Sequence, residues 1–310
     1  MTGKIKKWIA GVLGGFTVMA VGAPMGGCAD KAESKSENAF YLLGNVVDGQ
    51  MMGLVVQTKT KTIVIDGGAT GAADQLIEFL EEKANMHVDA WFFTHPHHDH
   101  IGAFYTLFNP FSEYPKVTID KIYHHFPSQE MLQEYGYRNA NEASMWTVMY
   151  DLFDGDFAEK TQVIEQGDEF VFDGVTLSVL RVFNPEITTN FVNNSSAAFR
   201  IESEKASFLI LGDLGTQGGD ELKEICPLEK LQADYTQMAH HGQGGCSQEF
   251  YEYIQPKKCI WPTPDWLWRN DDGGGFDTGP WETVRTREWM QKIGVTKNYV
   301  AKDGTQKIEF

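Results

Sequence analysis

Six of the nine histidines fall in two short clusters: His95, His97, His98 and His100 in one, His240 and His241 in the other. In Thr94-His95-Pro96-His97-His98-Asp99-His100, two imidazoles one residue apart point the same way from an extended backbone. A carboxylate and a third imidazole follow on a turn that enters a helix. Neutral imidazole nitrogen and carboxylate oxygen are the donors preferred by zinc and related divalent ions. A lone His-x-His is common on protein surfaces, whereas His-x-His-x-Asp-His at a strand-to-helix junction is a specific metal-binding pattern. Asp213 in Leu211-Gly212-Asp213 sits at a second strand end, and His240-His241-Gly242 follows a third apolar segment.

The first cluster resembles the signature of the metallo-β-lactamase superfamily, and the resemblance covers roughly residues 39–310. It implies an α/β fold, a four-layer αββα sandwich of two β-sheets flanked by helices. It also implies two divalent metal ions, zinc foremost, with manganese or iron as alternatives. One metal would be held by His95 and His97, the other by Asp99 and His100, with Asp213 bridging them. The last ligand is His240 or His241. His241 is favoured because family members commonly place Gly directly after that ligand, which leaves His240 as a candidate acid or phosphate-contacting group.

One departure from the family is informative. No histidine lies between His125 and His240, where many members carry a further ligand to the first metal, and Asn193-Asn194-Ser195-Ser196 occupies the interval instead. In this the chain resembles the hydrolase-like domain of the ComEC DNA-uptake channel and, more loosely, phosphorylcholine esterases. The implied first metal has fewer protein ligands, exchanges more readily and leaves room for a substrate oxygen. The alternative reading of Asn193 to Ser196 is a polar turn before a strand.

The chemistry implied is hydrolysis by a metal-bound hydroxide, with Asp99 at the metals and His240, Asn193 or Ser196 donating to the developing oxyanion. A phosphoester, either a phosphodiester or phosphorylcholine-like, is the leading substrate class. DNA processing, lactam or thioester hydrolysis, and a non-catalytic anchored metal-binding protein are the alternatives. A net charge of −17 and the lack of a Lys/Arg run disfavour a long nucleic-acid partner, so a small-molecule or lipid-headgroup substrate is expected.

These residues need a scaffold, and the composition, 42% hydrophobic and 22% charged, is that of an ordinary globular chain with one large core. Thr62 to Ile65 reads as a buried strand closed by Asp66-Gly67-Gly68, and Asp74 opens a helix with Leu76, Ile77, Phe79 and Leu80 on one face. Val88 to Thr94 is a second apolar run, with a helix expected from Ile101 to Phe108. Asp173-Gly174 joins Phe170–Phe172 to Val175–Val182 as a hairpin, and 197–202 with 207–211 form another. Gln248 to Ile254 reads as helix and Lys258 to Trp261 as strand. Residues 127–165 read as a helical insertion, and 262–280 as a long loop.

Asp66 is a candidate to orient a metal-binding imidazole, or else stabilises its turn. His98 is expected to face away from the metals, His124 and His125 to be structural or exposed, and His87 has no evident role. Trp261, Trp266, Trp268, Phe276 and Trp281 crowd the loop after the last ligand and are divided between core packing and a substrate wall.

At the N-terminus, Lys4, Lys6 and Lys7 precede an apolar run that ends in Met25-Gly26-Gly27-Cys28, the layout of a secretory signal with a lipobox-like end. Residues 1–27 are expected to be removed, Cys28 to carry lipid at an extracytoplasmic bacterial membrane, and 28–38 to be a flexible tether to a domain spanning 39–310. Losing three lysines takes the charge from −17 to −20. Cys226, Cys246 and Cys259 then remain and read as buried thiols, with one disulfide plus a free cysteine as the alternative.

Overall fold

A computed structural model describes residues 38–310; the signal segment, Cys28 and all but the last tether residue lie outside the described residues. The first sheet holds β1 (Ala39–Leu42), β2 (Gly53–Gln57), β3 (Thr62–Asp66), β4 (His87–Phe92), β5 (Thr118–His124) and β6 (Thr161–Val163). The second holds β7 (Glu169–Phe172), β8 (Val175–Arg181), β9 (Ala198–Glu202), β10 (Ser207–Ile210), β11 (Tyr235–Gln237), β12 (Lys258–Trp261) and β13 (Lys297–Val300). The last strand, β14 (Gln306–Glu309), returns to the first sheet, giving the orders β14-β1-β2-β3-β4-β5-β6 and β13-β12-β11-β10-β9-β8-β7. In each sheet an antiparallel half is followed by a parallel one, β3 to β6 and β10 to β13.

Period-two alternation with both faces apolar explains the layering. Phe40 and Leu42 point between the sheets, whereas Ala39, Tyr41 and Leu43 face the helices; Ile63 and Ile65 alternate with Val64 in the same way. Phe40 stacks on Phe208 of the opposite sheet at 4.5 Å between ring centroids. Each side chain of this size, fully buried, contributes roughly 1.5–3 kcal/mol. Helices Ala73–Ala84, His98–Phe108 and Ala140–Asp154 cover the outer face of the first sheet, and Thr216–Ile225, Gln248–Ile254 and Thr283–Ile293 that of the second. The result is the expected αββα sandwich.

Local expectations need three adjustments. The helix after the histidine signature begins at His98, three residues early, so Asp99 and His100 sit in its first turn. Residues 127–165 are not purely an inserted helical segment, because Thr161–Val163 pairs in parallel with β5 and extends the sheet. The 262–280 loop contains a short helix, Asp265–Trp268. The hairpin at Asp173-Gly174 forms as expected, with Phe172 opposite Val175. Among the described residues the three cysteines are free and buried, and no helix is long and apolar enough to cross a membrane.

His124 is structural. Its ring stacks on Phe153 at 4.6 Å, and its Nδ1 accepts a hydrogen bond from the Phe126 amide at 3.2 Å. Burial, then His125, push its pKa down to about 3. The unfolded chain protonates this ring near 6.5 and the folded one near 3, so stability is lost as pH falls between those values, by up to ~1.4 kcal/mol per pH unit. His124→Phe is expected to flatten the acid limb of a denaturant-melting series between pH 6.5 and 3. An unchanged slope would show that this ring carries no such linkage.

Candidate metal centre

The parallel strands deliver the site at their carboxyl ends, where open α/β sheets commonly place ligands. β3 ends on Asp66, β4 runs into Thr94 to His97, β10 is followed by Asp213, and β11 by His240 and His241. His95, His97, Asp99, His100, Asp213 and His241 are all buried.

They form two donor groups that share Asp213. Asp99, His100, Asp213 and His241 make one; His95, His97 and Asp213 make the other. In the second, His95 Nε2 and His97 Nδ1 lie 2.9 Å apart, and His95 Nε2 is 3.7 Å from Asp213 Oδ2. In the first, Asp213 Oδ2 is 3.3 Å from His100 Nε2 and 3.4 Å from His241 Nε2, and Asp99 Oδ2 is 3.1 Å from His241 Nε2.

The Asp213 carboxylate is fully buried, and its Oδ2 faces the imidazole nitrogens of His95, His100 and His241 at 3.3 to 3.7 Å, none of which neutralises it unless protonated. An uncompensated buried charge costs several kcal/mol, and convergent imidazole nitrogens with carboxylate oxygens are the donor chemistry of zinc-like ions. The residues therefore fit divalent metals, with four protein donors on one side and three on the other. Without a metal, the carboxylates draw protons instead. Burial opposes protonation of His241, but Asp213 and Asp99 raise its pKa to about 9. His100 is pulled up in the same way by Asp213, Asp66 and Asp99 against its burial. Burial dominates for His95 and His97, which are pushed down, His97 to about 3. Metal and proton thus compete for the same nitrogens, so affinity falls as pH falls.

The scaffold orients each donor. Asp66, fully buried and left-handed at φ 62°, accepts from the Thr94 amide, the Thr94 hydroxyl and His100 Nδ1, each at 2.7 Å. His241 Nδ1 lies 2.6 Å from the Pro262 carbonyl, which turns Nε2 toward Asp99 and Asp213. His240 and His241 both adopt φ near +50° (52° and 54°), and a Cβ at Gly242 would come within 2.5 Å of Trp261. This explains the His-His-Gly run: the chain must pass flat against Trp261. Gly102 plays the matching part on the signature helix, where a Cβ would lie 2.4 Å from the Thr70 amide nitrogen.

Asp66→Asn keeps a residue that tolerates the left-handed backbone but removes one acceptor and the charge. It is expected to weaken metal binding at the Asp99/His100/Asp213/His241 group by about 10- to 100-fold. Competitive metal titration checks this, and unchanged affinity would reduce Asp66 to a turn residue.

The remaining sequence candidates separate. His98 is exposed and lies 3.8 Å from Glu142, which raises its pKa. His240 lies at the margin, its Nε2 3.4 Å from Asn193 Nδ2 and 3.2 Å from Gln243 Nε2. Asn193 and its neighbours form a short helix, Phe191–Asn194, rather than a plain turn. Asn194 anchors the Gly215 and Gly218 amides, and Ser196 Oγ accepts from the Asp213 amide. Ser196 thus holds the Asp213 backbone, and Arg181, itself buried and paired with the half-buried Glu221, donates to the Ser196 carbonyl at 2.8 Å. Asn193 differs: its Nδ2 donates to Asn190 Oδ1 at 2.9 Å, while its buried Oδ1 has no partner. Trp261 belongs to the core cluster and the half-buried Trp268 packs against it, whereas the half-buried Trp266 and Trp281 meet edge to face. Trp266 Nε1 also donates to the Asp48 carbonyl at 2.8 Å.

Several contributors escaped the sequence reading. Gln50 donates to Asp99 Oδ2 at 3.1 Å, Trp146 to the Pro96 carbonyl at 2.7 Å, and Gln237 to the Gly212 carbonyl at 3.0 Å. No local pattern marks any of them.

The description "Metallo-beta-lactamase superfamily" matches residues 47–258. ComE operon protein 3 of Bacillus subtilis (strain 168) is 26% identical over 186 residues, 60% of this chain and 21% of that protein. The chain therefore spans about a fifth of the length of that curated relative. Among solved structures, the metallo-beta-lactamase fold protein YhfI from Bacillus subtilis has a TM-score of 0.52 at 15% identity, covering 88% of this chain and 100% of that one. Unliganded yeast PDE1 has a TM-score of 0.51 at 10% identity, covering 89% and 100%. At such identities these two likenesses speak for the fold.

Proposed function

Because the chain belongs to the metallo-beta-lactamase superfamily, whose members are generally hydrolases, we propose that it hydrolyses phosphoesters with metal-activated water. The observation that carries this is the unequal pair of donor groups sharing Asp213, one with four protein donors and one with three. Divalent metals bound there supply polarisation of a phosphoryl oxygen and a water acidic enough to lose its proton near neutral pH.

The chain's own residues do the rest. Asp99, His100, His241 and Asp213 would hold one metal with four protein donors, and His95, His97 and Asp213 would hold the other with three, which would make it the more exchangeable. Asp66, Gln50 and the Pro262 carbonyl keep the donors aligned. Asn193 and His240 stand where polar contacts to the reacting group are needed, and the Trp266–Trp281 pair offers an apolar wall. Zinc is the metal this donor set favours, with manganese or iron as alternatives.

The test is a metal-reconstituted activity screen on phosphomonoester, phosphodiester, lactam and thioester reporters. Phosphodiester turnover above the others is the expected result, and turnover of lactam or thioester alone would overturn the reading. A second reading, DNA processing, draws on the match to ComE operon protein 3. A charge of −17 opposes a long nucleic-acid track, so short phosphodiesters are expected to outperform single-stranded DNA in the same screen.

We further propose that the protein works outside the cytoplasm, tethered by lipid on Cys28. The Lys4, Lys6 and Lys7 start, the apolar run and Met25-Gly26-Gly27-Cys28 support this. Cys28→Ala is expected to move the protein from the membrane fraction to the soluble fraction or leave it unprocessed. Wild type without lipid on its mature N-terminus by mass spectrometry would refute the tether.

A further inference from the structure

β11 ends on a residue whose chemistry does not suit its place. Tyr235 packs between the sheets, and period-two alternation puts Gln237 on the same face, paired with Ile260 of β12 and fully buried. A primary amide at such a position is costly unless its groups are paired.

All of them are. Gln237 Oε1 accepts from the Leu211 amide at 2.7 Å, and Nε2 donates to the Gly212 carbonyl at 3.0 Å and to the Met238 carbonyl at 2.8 Å. Because the partners are backbone groups of fixed role, one N–H and two carbonyls, they define which end of the amide is which. They also define the residue: glutamate has the acceptor without the donors, and lysine the donors without the acceptor.

These three bonds join the two loops that carry Asp213 and His241. The backbone ladder between β10 and β11 stops at Leu209 and Thr236, and beyond that point the Gln237 side chain takes over the joining. On one side, Leu211 and Gly212 lead into Asp213. The Gly212–Asp213 peptide is held at both ends, since its carbonyl also accepts from the His240 amide at 3.1 Å and its amide donates to Ser196 Oγ at 3.0 Å. Gly212 is left-handed at φ 54°, and a Cβ there would fall 2.8 Å from Ser196 Oγ and 2.9 Å from the Thr94 Cβ, so the far side of this turn is already filled. On the other side, Met238 leads into His240 and His241, and the Tyr251 hydroxyl accepts from the Ala239 amide at 3.1 Å. Between these fixed points stand Asp213 Oδ2 and His241 Nε2, 3.4 Å apart.

We propose that Gln237 is a positioning residue for the metal centre: its side-chain amide sets the separation of Asp213 and His241, and with it the affinity of the Asp99/His100/Asp213/His241 group for its metal. The inference rests on the metal-centre reading and is independent of which ester the site hydrolyses.

The experiment strips the full chain of metal and titrates it with cobalt(II), whose visible absorption reports the geometry of its ligands, alongside phosphodiester kinetics at saturating metal. Gln237→Glu and Gln237→Met are each expected to weaken the tighter site by about 10- to 100-fold, the usual cost of losing a group that orients metal ligands, and to change the cobalt spectrum. The phosphodiester kcat should fall with KM nearly unchanged, because no substrate contact is removed. Ile260→Val, which thins the same core beside Gln237, should lower the melting temperature and leave the titration and spectrum as in wild type. Wild-type affinity and spectrum in both Gln237 variants, or the same losses in Ile260→Val, overturn the proposal and reduce Gln237 to core packing. A chain that no longer folds with either Gln237 substitution overturns it too, since the amide would then hold the whole sheet rather than the site. A wild type without a tight cobalt site refutes the metal centre and the proposal together. Weakened binding in the variants of a protein that turns over no phosphodiester keeps the positioning role and refutes only the substrate class.

Discussion

Asp213→Ala is expected to lose both metals and to reduce hydrolysis by at least about 1,000-fold. Asp213 is the one residue common to the two donor groups, so its removal takes a ligand from each. Charge stabilisation by a coordinated metal is worth several kcal/mol of barrier, and 1.4 kcal/mol is tenfold in rate. The fold should persist, because the Asp213 side chain meets the imidazoles of the site itself and the loop is held by its amide on Ser196 Oγ. Elemental analysis, circular dichroism and turnover on one phosphodiester check this together. A variant that keeps either metal at wild-type affinity would show that Asp213 does not bridge, and one that keeps activity would remove it from the mechanism.

Asn193→Ala should behave differently, slowing turnover by about 100-fold while sparing metal content. Asn190 orients this amide, which leaves a donor near His240 Nε2 and a buried, unpartnered Oδ1. The Nδ2 hydrogen not given to Asn190 can donate to oxygen charge that develops in the reaction, which Oδ1, an acceptor, cannot do. Removing one preorganised polar contact to developing charge typically costs 100- to 1,000-fold in turnover. Single-substrate kinetics beside metal analysis separate the outcomes. Loss of a metal would make Asn193 a ligand and fill the three-donor side; wild-type kinetics would make the Phe191–Asn194 helix a structural element only.

Contacts between near neighbours in the chain are the ones its sequence encodes directly. His95, His97, Asp99 and His100 lie within six residues, so an extended strand end followed by the first helical turn is enough to converge them, and both are local conformations. The strands Thr62–Asp66, His87–Phe92 and Val175–Arg181 were legible as short apolar runs, whereas Ala39–Leu42, Gly53–Gln57 and Thr118–His124, without such a run between clear turn signals, were not read. Nor was the edge strand Thr161–Val163: three residues, two of them exposed, leave no apolar pattern, and only pairing with β5 makes them a strand.

The donor types, their local spacing, the family they resemble and the missing intermediate histidine could all be read from covalent order alone. Tertiary structure decided which neighbours complete the site. Gln50 meets Asp99 across 49 residues, Trp146 meets Pro96 across 50, and Asn193 meets His240 across 47. It also resolved the adjacent pair, turning His241 inward and leaving His240 at the margin, because the Pro262 carbonyl holds His241 Nδ1 and Trp261 admits only glycine at position 242. The physical reason is the same in each case. Residues close in sequence share a geometry set by backbone dihedrals, whereas partners tens of residues apart meet only after the two sheets have packed and fixed the loops at their carboxyl ends.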